Sequence, residues 1–297
     1  MKRIGIFMVI GILLFAACKK QETQNDENNN TNTTNGGGDT PTTGLTINTG
    51  VACIDALAEN MVKVNGGTFL MGAIDTDDDA WNNERPQHSV TVSDFYICKH
   101  EVTQALWQAV MGSTPTYDGG WSDKYGKGDT YPAYYISWED CDTFLIKLNA
   151  LTGLDFRMPT EAEWEYAARG GNRSLGYTYA GSNTVDSVAW YSVNSYDLGS
   201  SHADYGTHIV MQKLPNELGL YDMSGNVFEW CSDWYDENYY AASPVSNPQG
   251  PVIGSHRVIR GGSWTYYYRN SRISFRDFDM PGVKKNYIGL RLVLPVE

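Results

Sequence analysis

The sequence predicts an α+β fold in a single domain of low regularity, and three observations carry that prediction. Runs at 61–72 and 88–98 alternate apolar and polar residues as short strands do. Thr103, Ser137 and Thr160 each open a stretch with helical spacing. Between 171 and 257 the chain is rich in Gly, Asn, Ser and aromatics and keeps no sustained period. No internal repeat and no second linker divides the patterned region, so one domain is expected from 51 to 297.

The chain starts with "MKRIGIFMVIGILLFAAC". Lys2 and Arg3 precede a short apolar run, and Ala16-Ala17-Cys18 follows it. That run is too short to span a bilayer comfortably and has the form of a secretory signal over 1–17. "FAAC" resembles a bacterial lipobox, which makes Cys18 the lipidated first residue of the mature protein. A plain signal peptide or a short anchor is the alternative. Residues 18–50 are low-complexity Asn/Thr/Gly, cannot bury apolar surface, and read as a disordered tether. Together these place the protein in the bacterial cell envelope, attached through Cys18.

"MVKVNGGTFLMG" (61–72) reads as two strands about Gly66-Gly67, and "HSVTVSDFYIC" (88–98) as one strand. Thr103 caps "QALWQAVM", which Gly112 stops. Ser137 with Asp140 forms a capping box for "WEDCDTFLIKLNALT", ended by Gly153. Thr160 with Glu163 repeats the signature for "EAEWEYAAR", ended by Gly170-Gly171. The long remainder reads as ordered loops, and such loops inside one domain are usually functional or held by ions or disulfides.

Charge narrows the partners. Removing 1–17 takes away Lys2 and Arg3 and no acid, which moves the net charge from −13 to −15. Such a surface disfavours nucleic acid and anionic headgroups. Cys53, Cys98, Cys141 and Cys231 remain, and export would permit disulfides with three possible full pairings. No CxxC or HExxH is present.

Several stretches together resemble the formylglycine-generating enzyme (sulfatase-modifying factor) family. They are "MVKVNGGTFLMG", "ERPQHSVTVSDFYICKHEVT", "YPAYYISWEDCDTFLIKLNALTG", "FRMPTEAEWEYAARGG", "LPNELGLYDMSGNVFEWCSDWY", "VIRGGSW" and "NYIGLRLV", in the family's order over roughly 61–294. The resemblance implies a compact formylglycine-generating-enzyme-like domain, distantly akin to C-type lectin folds. Active members oxidise a sulfatase cysteine to formylglycine with O2 and copper. The resemblance puts their two cysteines at Tyr266 and Ser271, so the thiol pair is missing. Cu(I) is soft and wants thiolates, and a phenol and a hydroxyl replace them poorly. The aromatic and the serine of the family's oxygen pocket fall on Phe228 and Ser263. Cys231 is near this frame by resemblance, as a thiol substitute or as a buried cysteine.

The resemblance also implies calcium, held by the side chains of Asp222 and Glu229 and the carbonyls of Gly225 and Val227. The alternative is an arginine on Glu229 and a turn cap for Asp222. Two carboxylates across a glycine turn can converge with backbone oxygens on a hard cation. Arg257, Arg260, Arg269, Arg272, Arg276 and Arg291 cluster near the C-terminus. They either receive an anionic ligand or pair inside with acids such as Glu161, Glu163, Glu165 and Asp233. Trp264, Tyr266, Tyr267, Tyr268, Arg269 and Arg272 form the candidate groove.

Three functions fit. The leading one is a lipid-anchored, non-redox protein that binds a peptide, glycan or envelope protein. The second is an enzyme, either a sulfatase-maturation-type oxidase or another oxidase using different residues. The third is a lectin-like module for polysaccharide.

Overall fold

A computed structural model describes residues 44–296. The proposed signal peptide, Cys18 and the tether up to residue 43 lie outside the described residues. Residues 45–49 already pack on the domain, ahead of the boundary at 51 expected from composition. Ile47 is buried in the core with Leu45 packed against it, and Asp55 Oδ1 accepts from Thr49 N at 2.6 Å. Two apolar side chains within a polar stretch were enough to dock it.

Two one-turn helices come first, α1 (Ala52–Asp55) and α2 (Leu57–Asn60). The 61–72 run then forms β1 (Met61–Val64) and β2 (Gly67–Met71), in different sheets. The 88–98 run is two strands rather than one, β3 (His88–Val92) and β4 (Phe95–Cys98). Asp94 causes the break, because its carboxylate accepts from Gly66 N at 2.8 Å and turns the chain. β2 pairs antiparallel with β3, while β1 and β4 join the C-terminal β9 (Val293–Pro295) in the order β1-β4-β9.

The three capped helices form where their caps placed them. Thr103 accepts from Leu106 N ahead of α3 (Gln104–Met111), which ends at Gly112 with φ 75°. Ser137 and Asp140 make the reciprocal capping box of α4 (Trp138–Thr152), closed by Gly153. Thr160 and Glu163 do the same for α5 (Glu161–Ala168). A further one-turn helix, α6, covers Val185–Val188.

A four-stranded sheet forms the structural centre, in the order β7-β6-β5-β8. Its strands are β5 (Phe228–Trp234), β6 (Arg257–Arg260), β7 (Asp277–Asp279) and β8 (Ile288–Gly289). In the middle of it, Glu229 of β5 lies opposite Arg260 of β6 on one side and Gly289 of β8 on the other.

Two apolar clusters flank these strands. One packs α3 and α4 against Phe228 and Trp230, with Trp107 stacked on Phe144 at 5.1 Å. The other packs Trp164 and Tyr166 of α5 against Val64, Val90 and Val258. Each such fully buried ring contributes about 2 kcal/mol through its apolar area. Among the described residues, no helix is long and apolar enough to cross a membrane.

Candidate functional site

The segment from Arg260 to Arg276 leaves β6, turns through Gly261-Gly262 and wraps the end of the central sheet. Gly262 has φ 77°, and a Cβ there would lie 2.7 Å from Asn270 O and 2.9 Å from Ser271 Oγ. Only glycine allows the two limbs of this turn to close together.

That closure bears on Tyr266 and Ser271, where the resemblance puts the family's thiols. Ser271 is fully buried, and its Oγ has no hydrogen-bond partner among the described residues. Tyr266 is half-buried, edge-on to Phe228 at 5.0 Å and to Tyr287 at 5.4 Å. Burial, then the neighbouring Tyr287 hydroxyl, pushes the Tyr266 phenol well above its usual range. Phe228 is completely buried between Tyr266, Phe275 and Tyr287. Ser263 is buried too, with its Oγ 3.1 Å from Thr265 Oγ1. The frame of the family's pocket is therefore packed with rings.

No cysteine replaces the pair. Cys98, Cys141 and Cys231 are free thiols rather than disulfide halves among the described residues. Cys98 and Cys141 sit in one apolar cluster and Cys231 in the other. Burial raises the pKa of all three, which disfavours the thiolate that copper or a nucleophilic step would need.

The candidate groove divides. Trp264 is 1% exposed and so is not a wall residue. It is the floor of an aromatic cluster that the sequence did not reveal, 6.0 Å from Tyr125, 6.0 Å from Tyr196 and 5.1 Å from Tyr205. Its indole N–H donates to Asn286 O at 3.0 Å, which satisfies the buried polar atom. Tyr125 also meets Tyr135, which in turn meets Tyr117. Ser192 N donates to Tyr266 O at 2.8 Å and ties the loop carrying Tyr196 to this segment. Three loops far apart in sequence thus join one aromatic face, and no local pattern could have signalled it. Tyr117, Tyr196 and Tyr267 are 55%, 47% and 64% exposed, so they present ring surface outward. Tyr268 and Arg269 are exposed beside them, and Arg269 pairs with Asp79 at 3.0 Å.

The arginines resolve mostly as internal ion pairs. Arg272 is buried and not part of the groove, since its guanidinium holds Glu84 at 2.7 and 2.8 Å and Asp77 at 3.0 Å. Arg260 meets Glu165 at 2.5 Å, and Arg276 meets Glu161 at 2.6 Å. Glu163 pairs instead with Arg157. Among the described residues, no arginine pairs with Asp233. Asp233 accepts from Glu161 N at 3.0 Å and Ser232 Oγ at 3.1 Å, and burial with Glu161 nearby pushes it up to about 7. Arg257 lies between the Trp138 and Trp234 rings at 3.8 and 3.5 Å.

The expected calcium ligands also divide. "YDMSGNVFEW" folds through left-handed residues Asp222, Gly225 and Asn226, and a Cβ on Gly225 would lie 2.3 Å from Trp190 O. Glu229 does not serve as a free ligand here, because Arg291 and Trp164 Nε1 already occupy both of its oxygens. Asp222 is different. Met211 N donates to its Oδ2 at 2.7 Å, while its buried Oδ1 has no partner among the described residues. Glu101, missed in the sequence, lies nearby, fully buried and accepting from Asn226 Nδ2 at 3.3 Å and Val227 N at 3.4 Å. Burial raises Asp222 to about 6 and raises Glu101 as well, with Asp222 the next cause for Glu101. Two buried carboxylates and one orphaned oxygen beside Gly225 and Val227 fit a hard divalent cation. Asp222, with its orphaned oxygen, and Glu101, whose oxygens accept only long bonds rather than an arginine, are the carboxylates that would hold it.

Comparison with known proteins places this architecture. Among curated proteins, the chain is 34% identical over 281 residues to "Chaperone protein LppX" of Paenibacillus barcinonensis, covering 80% of this chain and 90% of that protein. It is 28% identical over 304 residues to a formylglycine-generating enzyme of Streptomyces coelicolor, covering 84% and 94%. Among solved structures, Treponema denticola variable protein 1 superposes with a TM-score of 0.68 at 30% identity, over 80% of this chain and 95% of that one. PvdO from Pseudomonas aeruginosa gives 0.67 at 27% identity, over 80% and 94%. Residues 53–296 match the sulfatase-modifying factor enzyme 1-like domain, and the chain belongs to that family.

Proposed function

We propose that this chain is a polypeptide-binding member of its family that works without thiol–copper chemistry. The observation that carries the reading is the pair of family redox positions. One is Ser271, sealed in the interior, and the other is Tyr266, packed edge-on between Phe228 and Tyr287. Nearby, Tyr196 offers an exposed ring over a rigid floor at Trp264, and Tyr117 and Tyr267 expose further rings. Rings of this kind bury a large apolar area with little loss of side-chain entropy, which suits a peptide or an unfolded segment. The relative named a chaperone supports a protein client over a small molecule.

The chain acts in the cell envelope, exported by residues 1–17 and attached through a lipid on Cys18. A structural calcium held by Asp222 and Glu101 with the Gly225 and Val227 carbonyls completes the proposal.

Client binding is tested by light scattering of reduced, aggregating insulin. The full chain should slow its rise, and Tyr196→Ala with Tyr267→Ala should remove the effect while leaving the melting temperature unchanged. No suppression, or suppression indifferent to both substitutions, would overturn the reading. So would conversion of a Cys-X-Pro-X-Arg peptide to formylglycine by the copper-loaded protein, which would favour the oxidase. Tyrosine-dependent binding on a glycan array without effect on insulin would favour a lectin. Attachment is tested by labelled palmitate, which should enter the protein and fail to enter Cys18→Ser.

A further inference from the structure

A cleft lies away from the aromatic face. It has a volume of about 510 Å3 and is lined by Met61, Val62 and Lys63 of β1 together with Leu45, Arg173 and Leu218. β1 is the outer strand of its sheet, and among the described residues no strand or bridge pairs with its far side. From these two facts and the charge of the rim, we infer that β1 accepts an extended acidic peptide of a partner as an added strand.

The backbone register shows which groups are on offer. Lys99 N donates to Asn60 O at 2.8 Å, and the register pairs Val62 with Ile97 and Val64 with Phe95. In an antiparallel ladder the bonded pairs alternate, so Val62 and Val64 point their N–H and C=O toward β4. Lys63 points its N–H and C=O into the cleft, and so does the Met61 carbonyl. The Met61 N–H is spent on Leu57 O. An exposed strand edge of this kind is a ready template for a partner strand, and its four residues span about 13 Å.

Charge selects the chemistry of the guest. The whole chain has net charge −13. The cleft nevertheless gathers Lys63, Lys99 and Arg173 against a single acid, Glu59. Lys63 pairs at 3.3 Å with Asp94, and both are exposed. Lys99 Nζ bonds only a carbonyl, that of Glu59, at 2.8 Å, and no ion pair of Lys99 or Arg173 is found among the described residues. A locally basic cleft on an acidic protein attracts carboxylates. Met61, Val62 and Leu218 supply the apolar contact for alternate side chains of the guest. The inference is independent of the aromatic face, and the variants that test the two do not overlap.

The test is fluorescence anisotropy with the full chain and a labelled hexapeptide alternating Val and Glu. Its comparators are the Val-Lys counterpart and a Val-Glu peptide with a central Pro. The Val-Glu peptide should bind and the other two should not. Lys99→Glu with Arg173→Glu should weaken binding about tenfold at low salt, as expected of two exposed ion pairs. Lys63→Pro removes the outward N–H and should abolish binding; its native circular dichroism and melting temperature confirm the fold. Equal binding of the Val-Lys peptide, or indifference to the charge reversals, overturns the inference. Slow hydrogen exchange of the Lys63 amide in the full chain without peptide also overturns it, because the chain upstream of Gly44 would then fill the edge itself.

Discussion

Arg291 grips the Glu229 carboxylate through three N–H···O contacts at 2.6, 2.9 and 2.9 Å, with both side chains fully buried. The remaining guanidinium bonds go to Cys98 O and Tyr221 O, so one pair ties β5, β4 and the Asp222 loop together. Glu229→Gln leaves the Arg291 charge buried without its partner and should cost roughly 3–5 kcal/mol in denaturant unfolding. Glu229→Leu with Arg291→Met removes both charges and should cost less than Glu229→Gln alone. A larger loss in the double variant would mean that the pair is net stabilising.

Calcium should raise the melting temperature, and a chelator should lower it again. At a hundredfold excess over the dissociation constant the gain is about 2.7 kcal/mol. Asp222→Asn and Glu101→Gln should each remove the calcium response. In metal-free buffer both should stabilise the protein slightly, because each removes one of two buried carboxylates whose charged forms burial disfavours. A melting temperature indifferent to calcium in the unmodified chain would refute the site.

Asp233 gives a pH signature. Burial raises its folded-state pKa to about 7, above the ordinary aspartate value. The folded state therefore holds this proton more tightly than the unfolded state does. The contribution is full below about pH 4 and is lost as pH rises through about 7. Asp233→Asn keeps an acceptor for Glu161 N and cannot ionise. Its unfolding free energy should fall less between pH 4 and 8 than that of the unmodified chain, by a difference on the order of a few kcal/mol. Parallel pH curves would remove Asp233 as the cause.

Ser271→Ala should change stability by less than about 0.5 kcal/mol or raise it, because the buried Oγ has no partner among the described residues to lose. Thr160→Ala removes the acceptor for Glu163 N and should cost about 1 kcal/mol. Chemical denaturation of the two variants side by side checks the contrast, and a costly Ser271→Ala would show an unrecognised role for that hydroxyl.

The helices were legible in the sequence because their signals are local. Thr103, Ser137 and Thr160 each satisfy N–H groups within three residues, and Gly112 and Gly153 supply left-handed stops at no steric cost. The family was legible for a related reason, since its motifs are contiguous. The resemblance put the family's two cysteine positions at Tyr266 and Ser271, which are legible in the sequence as a phenol and a hydroxyl. Tertiary structure decided what no window of sequence holds. It carried Glu84, 188 residues away, to Arg272, which removed that arginine from the groove. It placed Arg291 on Glu229 and buried Asp222 near enough to Glu101 for its charge to raise the Glu101 pKa. It also gathered Tyr125, Tyr196 and Tyr205 around Trp264, so that three loops meet. A cap is satisfied by its neighbours in the chain, whereas a buried charge or an exposed ring acquires its meaning from whatever the fold packs beside it.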